Sequence, residues 1–327
     1  VVFFSCGVPN RGGALVRLLI AYDGSEEMDT KLDDLERAGL PDRCETILLS
    51  VIDSWLPPLD TVSSDAQPIA FLHRETFERM QLRQVEVERL AERLRQRFPN
   101  WQVTEEVRAD SPGWAIIRRA EGWENECHAD LVVLGTTDKS IVSRMLLGSV
   151  SQQVMTFARC SVRIVRPRGT SASRVSRLVI GVDGSPNADW AVQAICRRVW
   201  VAGSEARVVC VPNSKMMAIP HIKALGVTST KAAAEVIVER ATLELRAAGL
   251  AVASYVTEGE PKHELVKQAE EFAADCLVVG ARGLTRMERI LLGSVSLAVA
   301  MRASCSVEVV RTAARSDVDL TLAECPL

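Results

Sequence analysis

The sequence predicts an α/β protein made of two tandem doubly wound domains, each a five-stranded parallel sheet with helices on both faces. Three observations carry that prediction. Short apolar runs alternate with amphipathic stretches of helical length along nearly the whole chain, the pattern of βαβ units. The chain also says nearly the same thing twice. Arg17-Leu-Leu-Ile-Ala-Tyr-Asp23-Gly24-Ser25 is echoed by Arg177-Leu-Val-Ile-Gly-Val-Asp183-Gly184-Ser185, and Leu146-Leu-Gly-Ser-Val-Ser151 recurs verbatim at Leu291 to Ser296. Cys160-Ser-Val-Arg-Ile-Val-Arg166 returns as Cys305-Ser-Val-Glu-Val-Val-Arg311. Matched blocks in one order mean duplication of a whole domain, a unit far longer than a solenoid repeat. Finally, 327 residues fit two domains at the usual ~150 residues each.

In chain order, the first strand runs from about Val16 to Tyr22 and ends at Asp23-Gly24. Ser25 is a good N-cap, Glu26 and Glu27 suit a first helical turn, and Gly39-Leu40-Pro41 stops the helix. Thr46 to Ile52 is nearly continuously apolar, as a strand covered on both faces should be. A Pro-, Ser- and Asp-rich connection leads to a long helix, about Ile69 to Phe98, with Leu72, Met80, Leu90 and Leu94 as buried candidates. Its Arg and Glu residues read as a solvated face. Strand three spans Trp101 to Arg108, Pro112 opens a helix, and strand four spans Asp130 to Leu134. Val150 to Arg159 is the last helix of this half and Val162 to Val165 its last strand.

The second half repeats the order. Strands run over Leu178 to Val182, Arg207 to Val211, Ala251 to Thr257, up to Val279, and from Val307. Helices start at Ser185-Pro186, near Lys231, at Pro261 and at Val295. The boundaries are a leader over 1–15, domains over 16–167 and 177–311, a polar linker over 168–176 and a tail over 312–327. The leader's Val-Val-Phe-Phe has no basic residue before it and makes a poor signal peptide.

The chemistry concentrates where strand four ends. Gly280-Ala-Arg-Gly283, nine residues, then Gly293-Ser294 places a glycine turn, a crossing loop and a helix start in succession. Glycines permit close backbone approach, and a helix start offers unpaired N–H groups and a positive dipole end. Together these form an anion site without a charged cage. The first half has Gly135-Thr-Thr-Asp138, nine residues, Gly148-Ser149, so Asp138 stands where the second glycine belongs.

At these residues the chain resembles the universal stress protein family in its tandem two-domain form. The resemblance implies ATP as cofactor, with or without Mg²⁺, in a stress-response or signalling role. It implies that Asp183 and Val211 hold the adenine end. Gly280, Arg282, Gly283, Gly293, Ser294, Val295 and Ser296 would surround the phosphates. The corresponding residues of the first half are Asp23, Val51, Gly135, Gly148 and Ser149. Arg286 and Arg289 also stand beside the second loop. In the first half, Asp138 and the exchange of Gly259 for Asp110 predict a weaker or degenerate site. Two unit charges ~4 Å apart at an effective dielectric of ~20 repel by ~4 kcal/mol.

Composition narrows the remaining classes. Net charge is −3, with no electrostatic footprint for nucleic acid. No apolar run approaches the ~20 residues that span a bilayer, so no membrane partner is expected. Nine scattered cysteines without Cys-x-x-Cys suggest reduced thiols and a cytoplasmic setting, with Cys160 and Cys305 as packing residues. No P-loop lysine, nucleophile elbow or clustered metal ligand appears, and His73, His128, His221 and His263 lie on different elements. The chain therefore reads as a binding protein, not an enzyme, though slow ATP hydrolysis stays open. Two alternatives remain: a nucleotide-silent interaction module of the same fold, and an ATP-consuming transferase, which would need a catalytic motif that is missing. The short fifth strands should be edges, and exposed edges seek partners. The family resemblance implies intrachain pairing of the two domains through Val162 to Val165 and Val307 to Val310, with room for a further homodimer.

Overall fold

The computed structural model describes residues 15–24, 28–54, 67–122, 128–135, 147–166, 175–283 and 292–311. All of the leader but its last residue, most of the linker, the tail, Ser25, Glu26, Glu27, Asp138, Arg286 and Arg289 lie outside them.

The first half runs β1 (Val16–Tyr22), α1 (Met28–Arg37), β2 (Cys44–Asp53), α2 (Gln67–Arg97), β3 (Gln102–Asp110), α3 (Pro112–Ala120), β4 (Leu131–Gly135), α4 (Ser149–Phe157) and β5 (Ser161–Val165). The second half begins β6 (Arg177–Gly181), α5 (Pro186–Cys196) and β7 (Glu205–Cys210). It continues with α6 (Pro220–Ala224), α7 (Thr230–Ala247), β8 (Ala251–Val256) and α8 (Pro261–Glu271), and ends with β9 (Cys276–Gly280), α9 (Ser294–Arg302) and β10 (Ser306–Val310). The sheet order is β3-β2-β1-β4-β5-β10-β9-β6-β7-β8. All pairings are parallel except β5 with β10, which run antiparallel and join two five-stranded sheets into one.

Alternation along each strand divides the core. Leu18, Ile20 and Leu48 face α1 and α2, packing with Leu32, Leu35, Val87, Leu90 and Leu94. Leu19, Leu49 and Val132 belong to the opposite layer with Ile116, Val154 and Met155. That layer continues across the junction through Val162, Ile164, Val307 and Val309 to Val299 and Ala300. One apolar layer therefore spans both halves.

Two sequence expectations need correcting. Leu72 is exposed and Met80 only half-buried, whereas Leu90 and Leu94 are buried. The cause is length. A helix of 31 residues is ~46 Å long at ~1.5 Å per residue, while the 9 residues of β3 cover only ~30 Å. The amino-terminal part of α2 consequently runs past the sheet. The second half also contains a 3-10 turn, Ser214–Ala218, and the short α6 between β7 and α7.

The halves exchange helix caps across their junction. Arg166 follows β5 and donates to the carbonyls of Ala300, in the last turn of α9, and Cys305. Arg311 follows β10 and donates to Met155, in the last turn of α4, and Cys160. Each guanidinium thus serves carbonyls that the other half's helix end leaves unpaired. Burial pushes the Arg311 guanidinium down to about 10, still charged at neutral pH. Replacing either arginine with Met should cost ~1–3 kcal/mol, because buried carbonyls lose charged donors. Urea denaturation would check this, and an unchanged midpoint would remove the capping role.

Candidate functional site

The sheet reverses its strand order between β1 and β4, and again between β6 and β9. Ligands of open α/β sheets bind beyond the carboxyl ends of strands at such points. Asp183 and the glycine loop stand there in the second half because β6 and β9 are neighbours, with Ile180 opposite Val278. Gly181 pairs with Val209, so Asp183 and Val211 emerge two residues later at the same level.

Hydrogen bonds lock this corner together. The Asp183 carboxylate accepts from the Ser185 N–H at 2.9 Å, and Gly184 completes the turn with φ of +76°, a conformation glycine adopts without Cβ strain. The Ser185 hydroxyl caps α5 by accepting from the Ala188 N–H at 3.3 Å. It donates to the Arg282 carbonyl at 3.4 Å, tying the first turn to the glycine loop. Gly283 lies so near Asp183 that a Cβ there would sit 2.5 Å from the carboxylate. A Cβ on Gly280 would fall 2.5 Å from the Asn187 backbone carbonyl.

The helix start is held the same way. The Gly293 N–H donates to the Ala281 carbonyl at 2.7 Å, folding the far end of the loop back onto its beginning. Gly293 is the N-cap of α9 and has no side chain to offer, so the leading N–H groups of the helix lack a side-chain acceptor. Ser294 and Arg282 are exposed and Val295 half-buried at this mouth. Ser296 is different: it is buried, and its hydroxyl donates to the Gly280 carbonyl at 2.7 Å. Its side chain supports the loop, leaving its backbone N–H for any ligand.

The first half has the same frame but different contents. Asp23 follows β1, Gly135 ends β4, Val51 lies in β2, and Gly148 caps α4, whose first residue is Ser149. Lys31 of α1 is buried, and its ammonium lies 3.4 Å from Asp23. A Cβ on Gly135 would meet Lys31 Cε at 2.2 Å, so the lysine fills the space beside that glycine. Arg83 of α2 stands over the Tyr22 ring, donates to Ser50 Oγ at 3.1 Å and occupies the space beside Gly24. In the second half Gly184 meets Ile219 and Ile237 instead. Lys31 and Arg83 thus crowd Gly135 and Gly24 in the first half, where Asn187 crowds Gly280 and Ile219 and Ile237 crowd Gly184 in the second. The sequence reading missed both cations, although the alignment that sets Asp23 on Asp183 sets Lys31 on Ala191. Asp110, the last residue of β3, is engaged by Arg118 of the following helix α3.

The sequence profile of the universal stress protein family matches residues 16–166 and again 175–311. The chain belongs to the universal stress protein family. A universal stress protein of Mycobacterium tuberculosis is 28% identical over 187 residues, covering 56% of this chain and 62% of that protein. Another from Mycolicibacterium smegmatis is 29% identical over 218 residues, covering 64% and 69% respectively. The chain therefore spans somewhat less than two thirds of the Mycobacterium tuberculosis relative's length. The crystal structure of a universal stress protein from Archaeoglobus fulgidus superposes with a TM-score of 0.60 at 21% identity, covering 92% of this chain and 97% of that one. That likeness concerns the fold.

Among the described residues no helix is long and apolar enough to cross a membrane. Burial holds the Cys44 and Cys210 thiols up to about 12 and those of Cys160 and Cys196 to about 11. These thiols are protonated at neutral pH and poor nucleophiles.

Proposed function

We propose that this universal stress protein binds an adenine nucleotide, ATP with or without Mg²⁺, in its second half, and that the bound state biases its conformation or choice of partner. The observation that carries the reading is the closed corner of Asp183, Ser185, Arg282 and Gly283, set beside the α9 start at Gly293. Backbone N–H groups of the loop and of α9 would take the phosphates, Ser294 would add a hydroxyl and Arg282 a charge. Asp183 and Val211, level with one another, would flank the adenine end. The described corner offers backbone N–H groups, and its Asp183 carboxylate is engaged by the Ser185 N–H, so we read the protein as acting by binding and not by turnover. The setting we propose is cytoplasmic.

The alternative, a silent interaction module, gains specific support in the first half. There Lys31 occupies the space beside Gly135 and pairs with Asp23. We therefore assign nucleotide to the second half and a degenerate partner role to the first.

Calorimetric titration of nucleotide-stripped protein with Mg²⁺-ATP should show a single site per chain. Gly283→Asp copies the first half's Asp138 into the second loop and sets a carboxylate against Asp183. At ~4 kcal/mol of repulsion between that carboxylate and a phosphate charge ~4 Å away, affinity should fall by ~1000-fold. No saturable binding by the wild type at millimolar ATP would leave the interaction module as the better reading.

A further inference from the structure

The edge that joins the two halves carries a selectivity that the duplication alone would not produce. β5 and β10 descend from one repeated segment, with Cys, Ser, two Val and a closing Arg in common. They differ in charge at one position, Arg163 against Glu308. In the antiparallel register these two residues are partners, flanked by Ile164 opposite Val307 and Val162 opposite Val309. The pseudo-two-fold axis therefore passes between them.

Both side chains are buried, at 1% and 0% exposure, where a charge needs a partner. Arg163 Nη1 donates to Glu308 at 3.0 Å, while its Nε donates to Asp34 of α1 at 2.6 Å. Glu308 also accepts from Arg198, just beyond α5. Asp34 further accepts from the Ser306 hydroxyl of the other half at 2.7 Å. The flanking groups are not duplicated either: the positions matching Asp34 and Arg198 are Ala194 and Ala38. A second difference is steric. Gly39, with φ of +65°, lies so close to Trp200 that a Cβ would meet the indole at 2.9 Å, and its counterpart in the second half is Val199.

We propose that Arg163–Glu308 and Gly39–Trp200 key the strand-five edge to an unlike half, so that a first half accepts a second half and rejects another first half. Like pairing of two β5 strands would turn the two Arg163 Nη1 groups toward each other and strand buried N–H groups. Like pairing of two β10 strands would face Glu308 with Glu308 and drive Trp200 into Val199. Like halves of two copies are thereby kept from closing on one another through this edge.

The test uses full-length chains bearing two different tags. Arg163→Glu and Glu308→Arg each place like charges across the edge within one chain. Each alone should lose the compact scattering profile. Co-expressed, they restore Arg163 opposite Glu308 between chains and should co-purify severalfold above the wild-type background. The neutral double variant Arg163→Gln with Glu308→Gln threatens folding less and removes the charge rule. Its two-tag co-purification should also rise above wild type. Wild-type scattering from both single reversals would overturn the proposal, and so would a neutral double variant that stays at the wild-type background.

Discussion

Glu308→Gln should lower the stability of the full chain by ~3–5 kcal/mol, the usual cost of removing one member of a buried ion pair. For a protein of 327 residues that corresponds to a fall in Tm of ~4–7 °C. The substitution is nearly isosteric, so no cavity confuses the result. What changes is that Arg163 and Arg198, both bonded to the same carboxylate, lose their shared counter-charge in a place water does not reach. The pH profile separates this from a packing defect. Burial opposes the charged form of Glu308, but Arg198 and then Arg163 outweigh it and hold the carboxyl below its ordinary value. A carboxyl with a depressed native pKa stabilises the fold above its unfolded pKa, and that contribution disappears as pH falls through the native value. The wild type should therefore lose stability as pH drops below about 4.5, the ordinary value of the group. The variant's curve should be flatter over the same interval. Equal slopes would assign the acid sensitivity to other carboxylates.

Much of this architecture can be read from the chain because two signals reinforce each other. Apolar runs mark buried parallel strands, and the duplication checks each assignment against a second copy. The glycine loop was readable for the same reason: Gly280, Gly283 and Gly293 stand at spacings that only a strand–loop–helix passage explains. Other features depend on where an element ends in space. Leu72 has the right periodicity for burial, but α2 outruns the sheet before reaching it. Ser296 reads as a ligand residue from its place in the motif, but only the fold shows that its hydroxyl serves Gly280 and that its backbone N–H is the group left for a ligand. Lys31 sits on a helix far along the chain from Gly135, and only the β1–β4 neighbour relation brings them together. The same holds for Glu308. Its difference from Arg163 is plain in the aligned repeats, yet its meaning appears only when the register places one opposite the other.

Paired alanine substitutions at Gly280 and Gly135 should give opposite results at equivalent positions. Each glycine is the last residue of its strand, and each is crowded, but by different kinds of atom. At Gly280 the new Cβ would lie 2.5 Å from the carbonyl carbon and oxygen of Asn187. Those atoms belong to the first turn of α5, pinned by the Ser185 cap and its bond to Arg282. No rotamer relieves that collision, so the backbone must shift, at ~1–3 kcal/mol. The shift would pull apart the corner that holds Asp183 against Gly283, and the proposed nucleotide affinity should fall with it. At Gly135 the obstruction is the far end of Lys31, Cε at 2.2 Å and Nζ at 2.6 Å. A lysine end can swing aside, so Gly135→Ala should leave thermal stability nearly unchanged while releasing Lys31 from Asp23. Thermal denaturation and ATP titration of the two variants side by side would show whether the second crevice is rigid and built from backbone while the first is filled by a movable side chain. Equal losses at both glycines would mean that the two halves differ in sequence but not in construction.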